Sequence, residues 1–393
     1  MSDPSIQYLP AEAAARRHID SQLEASGWEV QSAAGVNLQA SRGVAVREFI
    51  LTAEHGRADY LLFLDGQAVG AVEAKPAGTT LTGVEFQTKK YTEGLPGYLT
   101  APIRPLPFAY ESTGVETRFT NGLDPQPTSR RLFTFHRPET FARWMRDLDL
   151  VAGPTLRSRL TDLPPLGPGG LWPAQETAIR NLEASLAANR PRALIQMATG
   201  SGKTFTAANA VYRLIKHGRA ERVLFLVDRA NLARQTKKEF DQFTTPDDGR
   251  KFTELYNVQH LSSQTVDPVA RVVISTIQRV YSILRGEAEM DPALDEQSLY
   301  ELENLLPVEV EYNPRLPIEA FDVVVIDECH RSIYGVWRLP DSLVDLRSCL
   351  FWEQRAWRQS DYDEPKGREL AYIRALVEDI RAWAETGAAA AGR

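Results

Sequence analysis

Apolar residues in the second half of the chain form continuous runs that alternate with helical patterns. A strand that is apolar on both faces is typical of a parallel sheet covered by helices, because neither face meets water. The alternation of such strands with helices predicts an α/β fold. The runs that carry this prediction are residues 193–198, 222–228, 271–278 and 321–328.

The first half of the chain contains shorter and more varied patterns. Residues 11–26 predict an amphipathic helix that ends at a glycine. Two apolar runs within residues 56–78 flank Asp65-Gly66, and this arrangement predicts a β-hairpin. Strand-like runs between residues 94 and 140 predict the rest of a first sheet, with aromatic side chains buried at alternate positions.

A segment rich in proline and glycine, LTDLPPLGPGG at residues 160–170, separates the two patterns. Such a cluster of helix and strand breakers is typical of a boundary between domains. We therefore predict a first domain at 1–150, a linker at 151–170, a second domain at 171–338 and a divergent tail at 339–393.

Composition narrows the class of protein further. The formal net charge is -7 over 393 residues, so nucleic-acid binding would depend on local basic patches. The two cysteines, Cys329 and Cys349, form no zinc-binding spacing or disulfide framework. No apolar run approaches membrane-spanning length and the N-terminus has no apolar signal region, so we expect a cytoplasmic protein without membrane partners.

A glycine-rich segment, MATGSGKT, stands between a buried-strand run and a helical pattern. This order predicts a phosphate-binding loop, because backbone N–H groups and a helix N-terminus converge on one anion. The lysine would contact the β- and γ-phosphates of a bound nucleotide, and the threonine hydroxyl would bind Mg²⁺. The alternative is an ordinary glycine turn before a helix. The candidate nucleotide-binding residues here are Thr199, Gly200, Ser201, Gly202, Lys203 and Thr204.

The last buried run of the second domain ends in Asp327-Glu328-Cys329-His330. An aspartate at the carboxyl edge of a parallel sheet can hold Mg²⁺ through water. The adjacent Glu328 can orient or deprotonate the water that attacks a phosphate. Asp327 is therefore a candidate metal and cofactor-binding residue, and Glu328 is a candidate catalytic residue.

Three charged residues of the hairpin form a second candidate site. Glu73 and Lys75 are two apart on its second strand and share a face, while Asp59 opens the first strand. A two-residue loop would place Asp59 opposite Val72. We expect instead a three-residue loop with Gly66 in the left-handed region, which pairs Asp59 with Glu73.

An aspartate, a glutamate and a lysine in this arrangement suit metal-dependent phosphodiester cleavage. Asp59 and Glu73 would bind one or two Mg²⁺ ions, and Lys75 would position water and stabilise the transition state. The alternative is an exposed hairpin carrying an i,i+2 ion pair.

Residues 84–91 predict a helix that places Gln87 and Tyr91 one turn apart. The strand pair followed by Q-x-x-x-Y resembles PD-(D/E)xK nucleases of the kind fused to DNA translocases. By that resemblance Gln87 and Tyr91 join the candidate catalytic residues. Basic residues in the first domain offer a face for backbone phosphates, or else are solvated surface charges. They are Lys89, Lys90, Arg104, Arg130, Arg131, Arg137 and Arg143.

The second domain resembles superfamily 2 helicases and translocases through MATGSGKT and DECH. The resemblance implies a RecA-like ATPase domain in which Gln175 contacts adenine, although Trp172 stands where the family tends to have arginine. Met197 replaces the first glycine of the general loop pattern. VDRANLARQ and ISTIQRV resemble motifs Ia and Ib, which grip the nucleic-acid backbone in relatives. The candidate backbone-contacting residues in these two motifs are Arg229, Gln235, Thr276 and Gln278. The alternative for each of them is a role as a helix cap or as an ordinary surface residue.

Taken in order, these motifs resemble the N-terminal part of the restriction (R) subunit of type I restriction-modification enzymes. The phrases VEAKPAG, Q-x-x-x-Y, FHRPET, MATGSGKT, VDR and DECHRSIYG carry the resemblance. Type III restriction subunits share the motor domain but carry their nuclease at the other end of the chain. The order of the domains therefore argues against a type III subunit. The resemblance implies Mg²⁺-dependent cleavage of double-stranded DNA coupled to ATP-driven translocation, with methyltransferase and specificity subunits as partners.

Residues 339–393 resemble none of the later motifs of the family. A second RecA-like domain, which would carry the arginines that complete the ATP site, is therefore expected to be missing, and ATP hydrolysis by this chain stays open. The alternative function is a truncated, non-translocating remnant that binds ATP and DNA, or partner subunits, without cleaving.

Overall fold

The computed structural model describes residues 11–52, 55–81, 94–150, 153–167, 170–190, 192–198, 200–297, 313–327 and 349–354. These residues form a seven-stranded sheet followed by a six-stranded sheet, each with helices. The expected mixed α/β class with a parallel sheet is confirmed. Within the described part of the chain, no helix has both the length and the apolar character needed to cross a membrane.

The first sheet keeps its strands in chain order. Two neighbouring pairs, β1 with β2 and β4 with β5, are parallel, and the other pairs are antiparallel. The strands are β1 (Glu29–Ser32), β2 (Gly43–Ile50), β3 (Arg57–Leu64), β4 (Gln67–Ala74), β5 (Phe108–Ser112), β6 (Thr117–Asn121) and β7 (Arg130–Leu132).

Two helices, α1 (Ala11–Ala25) and α2 (Pro138–Arg146), contribute to the larger core of this sheet. Phe108, Phe119 and Phe141 are all fully buried there. The ring centroids of Phe108 and Phe141 lie 4.2 Å apart in a stacked arrangement. The expected alternation of buried aromatic residues along β5 is confirmed. The stacking of Phe108 on Phe141 joins α2 to β5, the strand next to β4.

The hairpin between β3 and β4 forms, but its loop differs from the predicted one. Leu64 pairs with Gln67, so the loop has only the two residues Asp65 and Gly66, whose φ angles are 47° and 79°. Positive φ at both central residues suits the right-handed twist of a hairpin, so a third residue is not needed. The predicted three-residue loop is therefore wrong.

The predicted one-residue shift in register between β3 and β4 nevertheless occurs, but it lies within the paired strands and not in the loop. Phe63 pairs with Ala68 whereas Leu62 pairs with Gly70, so Val69 is an extra residue in a β-bulge. Beyond the bulge the register continues to Tyr60 opposite Val72. This brings the next residue outward on each strand, Asp59 and Glu73, into the neighbourhood that the sequence predicted.

The second sheet is parallel throughout, in the order β10-β11-β9-β12-β13-β8. Every residue of β9 and β11 is buried, as the continuous apolar runs predict. Its strands are β8 (Arg192–Met197), β9 (Val223–Val227), β10 (Val258–His260), β11 (Val272–Thr276), β12 (Val323–Asp327) and β13 (Cys349–Gln354).

Helices connect the strands of the second sheet. The longest are α4 and α5, which lie before and after β8. The helices that follow α2 are α3 (Leu156–Leu160), α4 (Pro173–Ala187), α5 (Lys203–Lys216), α6 (Ala230–Gln242), α7 (Phe252–Leu255), α8 (Ile277–Leu284) and α9 (Pro292–Glu296).

Strand β13 is an element that the apolar pattern did not predict. It pairs with β8 on one side and with β12 on the other, so it lies inside the sheet. Part of the predicted divergent tail, residues 349–354, is thus integral to the second sheet.

Polar contacts join α2, which packs on the first sheet, to residues that precede strands of the second sheet. The backbone N–H of Arg137 donates to Glu319 Oε1 at 2.9 Å, and the Thr140 hydroxyl donates to the same oxygen at 3.1 Å. Arg143 forms an ion pair with Glu221 just before β9. Since these acidic residues precede β12 and β9, the first region meets the amino-end side of the second sheet.

Candidate functional site

The start of β3 and the end of β4 bring the predicted catalytic triad together. Asp59 Oδ2 accepts a hydrogen bond at 2.9 Å from the backbone N–H of Ala74, the residue between Glu73 and Lys75. Lys75 Nζ donates to Glu73 Oε1 at 2.5 Å. The bulged hairpin therefore gathers two carboxylates and one ammonium group within a few residues of one strand end.

Burial distinguishes these three side chains. The Glu73 side chain is 3% exposed, that of Lys75 is 23% exposed, and that of Asp59 is 14% exposed. A buried carboxylate needs charge and hydrogen-bond partners, because water no longer solvates it. The arrangement differs from the exposed hairpin ion pair that was the alternative, because Glu73 lies in the interior.

Glu73 has one oxygen available for a ligand. Oε1 is held by Lys75, whereas no donor in the described part of the chain reaches the buried Oε2. Carboxylate oxygens suit Mg²⁺, which is commonly held by one or two carboxylates together with water and substrate phosphates. The donor set of Asp59 and Glu73 therefore fits this ion, although no group of three or more His, Cys, Asp or Glu side chains converges at metal-binding spacing among the described residues.

Arg16 belongs to this site and was missed by sequence reasoning, and Tyr60, the residue after Asp59, bonds to the helix that carries Arg16. Arg16 on α1 donates to Asp59 Oδ1 at 2.6 Å, and Tyr60 donates to Asp20 Oδ1 at 2.8 Å. Burial, followed by the hydrogen bond to Asp20, raises the pKa of Tyr60 far above its ordinary value, so the phenol stays protonated. Arg16 was not recognisable, because 43 residues separate it from Asp59.

Two glycines of the glycine-rich loop adopt a left-handed backbone conformation. Gly200 and Gly202 have φ angles of 77° and 76°, a region that other residues rarely adopt. Gly202 is the N-cap of α5, so the loop leads directly into the helix N-terminus. Lys203 and Thr204 are the first two residues of that helix, and both are partly exposed. This geometry presents the helix N-terminus and its backbone N–H groups to an anion.

The amide of Gln175 links the start of α4 to the loop. Nε2 donates to the Ser201 carbonyl oxygen at 2.9 Å, and Oε1 accepts from the Trp172 backbone N–H at 3.0 Å. The residue is 4% exposed. Gln175 thus stabilises the loop, while one amide N–H and one oxygen lone pair remain beyond these two bonds.

Asp327 ends β12 at the carboxyl edge of the sheet, on the same edge as the loop after β8. Strand β13 lies between β12 and β8. Two strand spacings separate the ends of β12 and β8, a distance of about 10 Å.

Two of the predicted nucleic-acid contacts have structural roles instead. Thr276 is the N-cap of α8, with its hydroxyl donating to Asp295. Gln278 is 6% exposed and donates to the Asp228 and Gln297 carbonyl oxygens. Of the other two candidates, Gln235 is exposed, and the partly exposed Arg229 lies 3.6 Å from the Asp228 carboxylate.

The predicted basic face is largely committed to internal contacts. Arg104 donates to three backbone carbonyl oxygens, and Arg130 pairs with Asp124. Arg137 and Arg143 join α2 to the second region. Arg104 and Arg131 are the exposed members of this set among the described residues. The candidates that lie outside the described residues are Gln87, Lys89, Lys90, Tyr91, Thr199 and Glu328.

Family models match two parts of the chain. Residues 24–101, which include the hairpin, match the second domain of the type I restriction enzyme EcoKI endonuclease subunit. Residues 170–355, which include the glycine loop and β13, match the res subunit of type III restriction enzymes.

Curated relatives agree with these models. The EcoKI endonuclease subunit of Escherichia coli strain K12 is 25% identical over 371 residues, covering 82% of this chain and 29% of the relative. The SauCOLORF180P endonuclease subunit of Staphylococcus aureus strain COL is 25% identical over 338 residues, covering 81% of this chain and 32% of the relative. The chain thus spans about a third or less of the length of these relatives.

Among solved structures, the UvsW helicase from bacteriophage T4 aligns with 48% of this chain and 54% of its own. The identity is 18% and the TM-score is 0.28, which is too low to establish a shared fold. The sequence matches are the stronger result, because they place the hairpin and the glycine loop in the same order along one chain. In these matches, the chain is similar to type I restriction enzyme endonuclease subunits along about four fifths of its length.

Proposed function

We propose that this chain supplies the DNA-cleaving site and the nucleotide-binding site of a type I restriction endonuclease. The observation that carries the proposal is the hydrogen bond from the Ala74 backbone N–H to Asp59, which fixes one carboxylate beside Glu73 and Lys75. In this assignment residues 1–150 form a PD-(D/E)xK nuclease, and the second sheet with its helices, including β13 beyond residue 338, forms a RecA-like motor domain.

Each residue of the first site has a distinct role in the proposed cleavage. Glu73 Oε2 and Asp59 would hold Mg²⁺, which polarises the scissile phosphate and lowers the pKa of a bound water when present. Lys75, anchored on Glu73, would orient the water and neutralise charge on the phosphate. Arg16 would hold the Asp59 carboxylate in its orientation.

The second site would bind ATP with Mg²⁺. The backbone N–H groups from Gly200 to Thr204 would contact the phosphates, and the Lys203 ammonium would reach the terminal ones. Asp327 at the same sheet edge would hold the ion through water. Gln175 supports this proposal because it fixes the loop in place.

Double-stranded DNA is the proposed substrate, with methyltransferase and specificity subunits as partners that recognise the site. ATP-driven translocation is proposed on the basis of the family. The competing function is binding of DNA, nucleotide or partner subunits without cleavage. Cleavage itself distinguishes the two.

The test is nicking and linearisation of supercoiled plasmid by the full chain, assembled with its methyltransferase and specificity subunits in the presence of Mg²⁺ and ATP. Glu73→Ala is expected to abolish cleavage and to leave ATP binding intact, because the nucleotide loop belongs to the other sheet. The matched control is Glu29→Ala, at the exposed start of β1 in the same sheet. The proposal fails if Glu73→Ala cuts as well as the parent, or if the assembled parent never cuts.

A further inference from the structure

Glu48 has an unusual backbone conformation for a residue inside a strand. Its φ angle is 52°, in the left-handed region that residues other than glycine rarely adopt. Among the described residues, the other non-glycine residues with positive φ are Asp65 in a hairpin turn, and Asn189 and Arg219 just after α4 and α5. Turns and helix ends commonly contain left-handed residues, whereas a position within β2 requires a separate reason.

The left-handed residue breaks the alternation of faces along β2. Val46 and Phe49 pack into the same core on one face of the sheet. Arg47 reaches α1 on the other face, where its guanidinium donates to Asp20 Oδ2 at 3.1 Å. In a regular strand Glu48 would share the face of Val46, and Phe49 would share that of Arg47. The backbone at Glu48 therefore turns its carboxylate towards α1.

Arg16 on α1 bridges the carboxylates of Glu48 and Asp59. Its Nη1 donates to Glu48 Oε1 at 3.2 Å, and its Nη2 donates to Asp59 Oδ1 at 2.6 Å. The flanking pairs in the register between β2 and β3 place Glu48 opposite Asp59. Arg57 Nη1 lies 3.5 Å from the other Glu48 oxygen, Oε2. Glu48 is thus joined to the candidate cleavage site through Arg16.

The bridge limits how Arg16 pairs with Asp59. A guanidinium commonly binds one carboxylate through two parallel N–H groups. Here Nη1 is engaged on Glu48, so Asp59 receives Nη2 on Oδ1 while the Ala74 backbone N–H occupies Oδ2. Each carboxylate oxygen can accept two bonds, so both Asp59 oxygens keep an acceptor position for an ion.

We propose that Glu48 is a positioning residue of the cleavage site. It draws the Arg16 guanidinium away from two-point pairing with Asp59, and so keeps Asp59 able to bind Mg²⁺. The left-handed backbone at Glu48 serves to place its carboxylate on the α1 side, where Arg16 lies. This inference rests on the proposed nuclease function.

A purely structural role for Glu48 makes different predictions. Its ion pairs with Arg16 and Arg57 would then only fasten α1 and β3 to β2. Loss of the carboxylate would lower the stability of the chain and leave its affinity for a divalent ion unchanged.

The experiment measures Mn²⁺ affinity of the full chain by electron paramagnetic resonance titration without DNA, together with urea unfolding of the same variants. Glu48→Gln is expected to weaken Mn²⁺ binding by about threefold or more, because the guanidinium turns onto Asp59. In an Arg16→Gln background the same substitution should have no such effect. Glu116→Gln, between β5 and β6, removes the acidic partner of Arg118 and is the control that should bind like the parent.

Glu48→Gly separates the backbone strain from the carboxylate. Glycine adopts this φ readily, so the variant should unfold at an equal or higher urea midpoint than the parent, yet bind Mn²⁺ as weakly as Glu48→Gln.

Two results would overturn the inference and leave the nuclease proposal standing. One is parent affinity in folded Glu48→Gln and Glu48→Gly chains, and the other is an equal loss caused by Glu48→Gln in the Arg16→Gln background. A parent chain that binds no Mn²⁺, or a Glu73→Gln chain that binds it normally, would instead refute the proposed metal site as a whole.

Discussion

Gln175 offers a test of how the nucleotide loop is held in shape. Gln175→Ala removes the hydrogen bonds to the Ser201 carbonyl oxygen at 2.9 Å and from the Trp172 N–H at 3.0 Å. The bond to Ser201 contributes a net ~0.5–1.5 kcal/mol to the loop, whereas the bond from Trp172 lies within the start of α4. If the whole loss of the Ser201 bond falls on the loop, nucleotide affinity drops by about 2-fold to 13-fold.

The assay is equilibrium competition of ATP and of GTP against a fluorescent nucleotide, with Mg²⁺ present. A residue that braces the loop affects both nucleotides by the same factor, because both present the same phosphates. A residue that contacts the adenine edge affects ATP alone. Glu176→Ala is the control, since that neighbouring side chain is 45% exposed and pairs with Arg180 on the surface.

A selective loss of ATP binding would show that Gln175 does not act by stabilising the loop, and it would support the role in contacting adenine that the family resemblance implies. Unchanged affinity for both nucleotides would show that the loop keeps its shape without the amide. The free energy of unfolding should be measured for the same variant, because any part of the loss that falls on folding reduces the effect on binding.

Three further variants test the loop and its helix. Lys203→Ala should abolish ATP binding in the same competition assay, since it removes the side-chain cation nearest the phosphates, and equal affinity would contradict the assignment. Gly202→Ala should weaken ATP and GTP alike, because a Cβ there would lie 2.5 Å from Gln175 Nε2 at a φ of 76°; in a Gln175→Ala background the loss should be smaller. Burial, followed by the charge of Arg213, lowers the pKa of His217, so the unfolded chain binds more protons and stability falls as pH drops below about 6.5. In urea unfolding at pH 7.5 and 5.5, His217→Gln should lose less stability than the parent on acidification, and an equal loss would exclude this contribution.

Much of the fold could be predicted because burial imposes its pattern on the sequence. The continuous apolar runs predicted β9, β11 and β12, since a strand covered on both faces tolerates few polar residues. The run at β8 also predicted a strand, although only Ile195 and Met197 are buried in it. Strand β10 has three partly buried residues, too few to establish a period. Strand β13 depends on its neighbours β8 and β12 for its place, and no local pattern reports such pairing.

In the candidate sites, too, local patterns predicted some residues and could not predict others. Local spacing predicted Glu73, Lys75 and the glycine loop, because the chemistry there depends on residues close in sequence. Contacts between distant segments could not be predicted, as those of Arg16 with Asp59 and Glu48 show. The register of Asp59 was predicted through a loop, whereas the structure achieves it with a bulge at Val69.

In the proposed cleavage site, Glu73 would bind the catalytic ion while Lys75 acts on the substrate. Lys75→Met tests both halves at once, because it removes the ammonium group held 2.5 Å from Glu73 Oε1 and keeps a side chain of similar length. The measurement is Mn²⁺ affinity together with plasmid cleavage by the assembled complex. We predict affinity equal to or higher than that of the parent, with cleavage lost. Cleavage at the parent rate, or loss of Mn²⁺ binding in a folded Lys75→Met chain, would contradict the account.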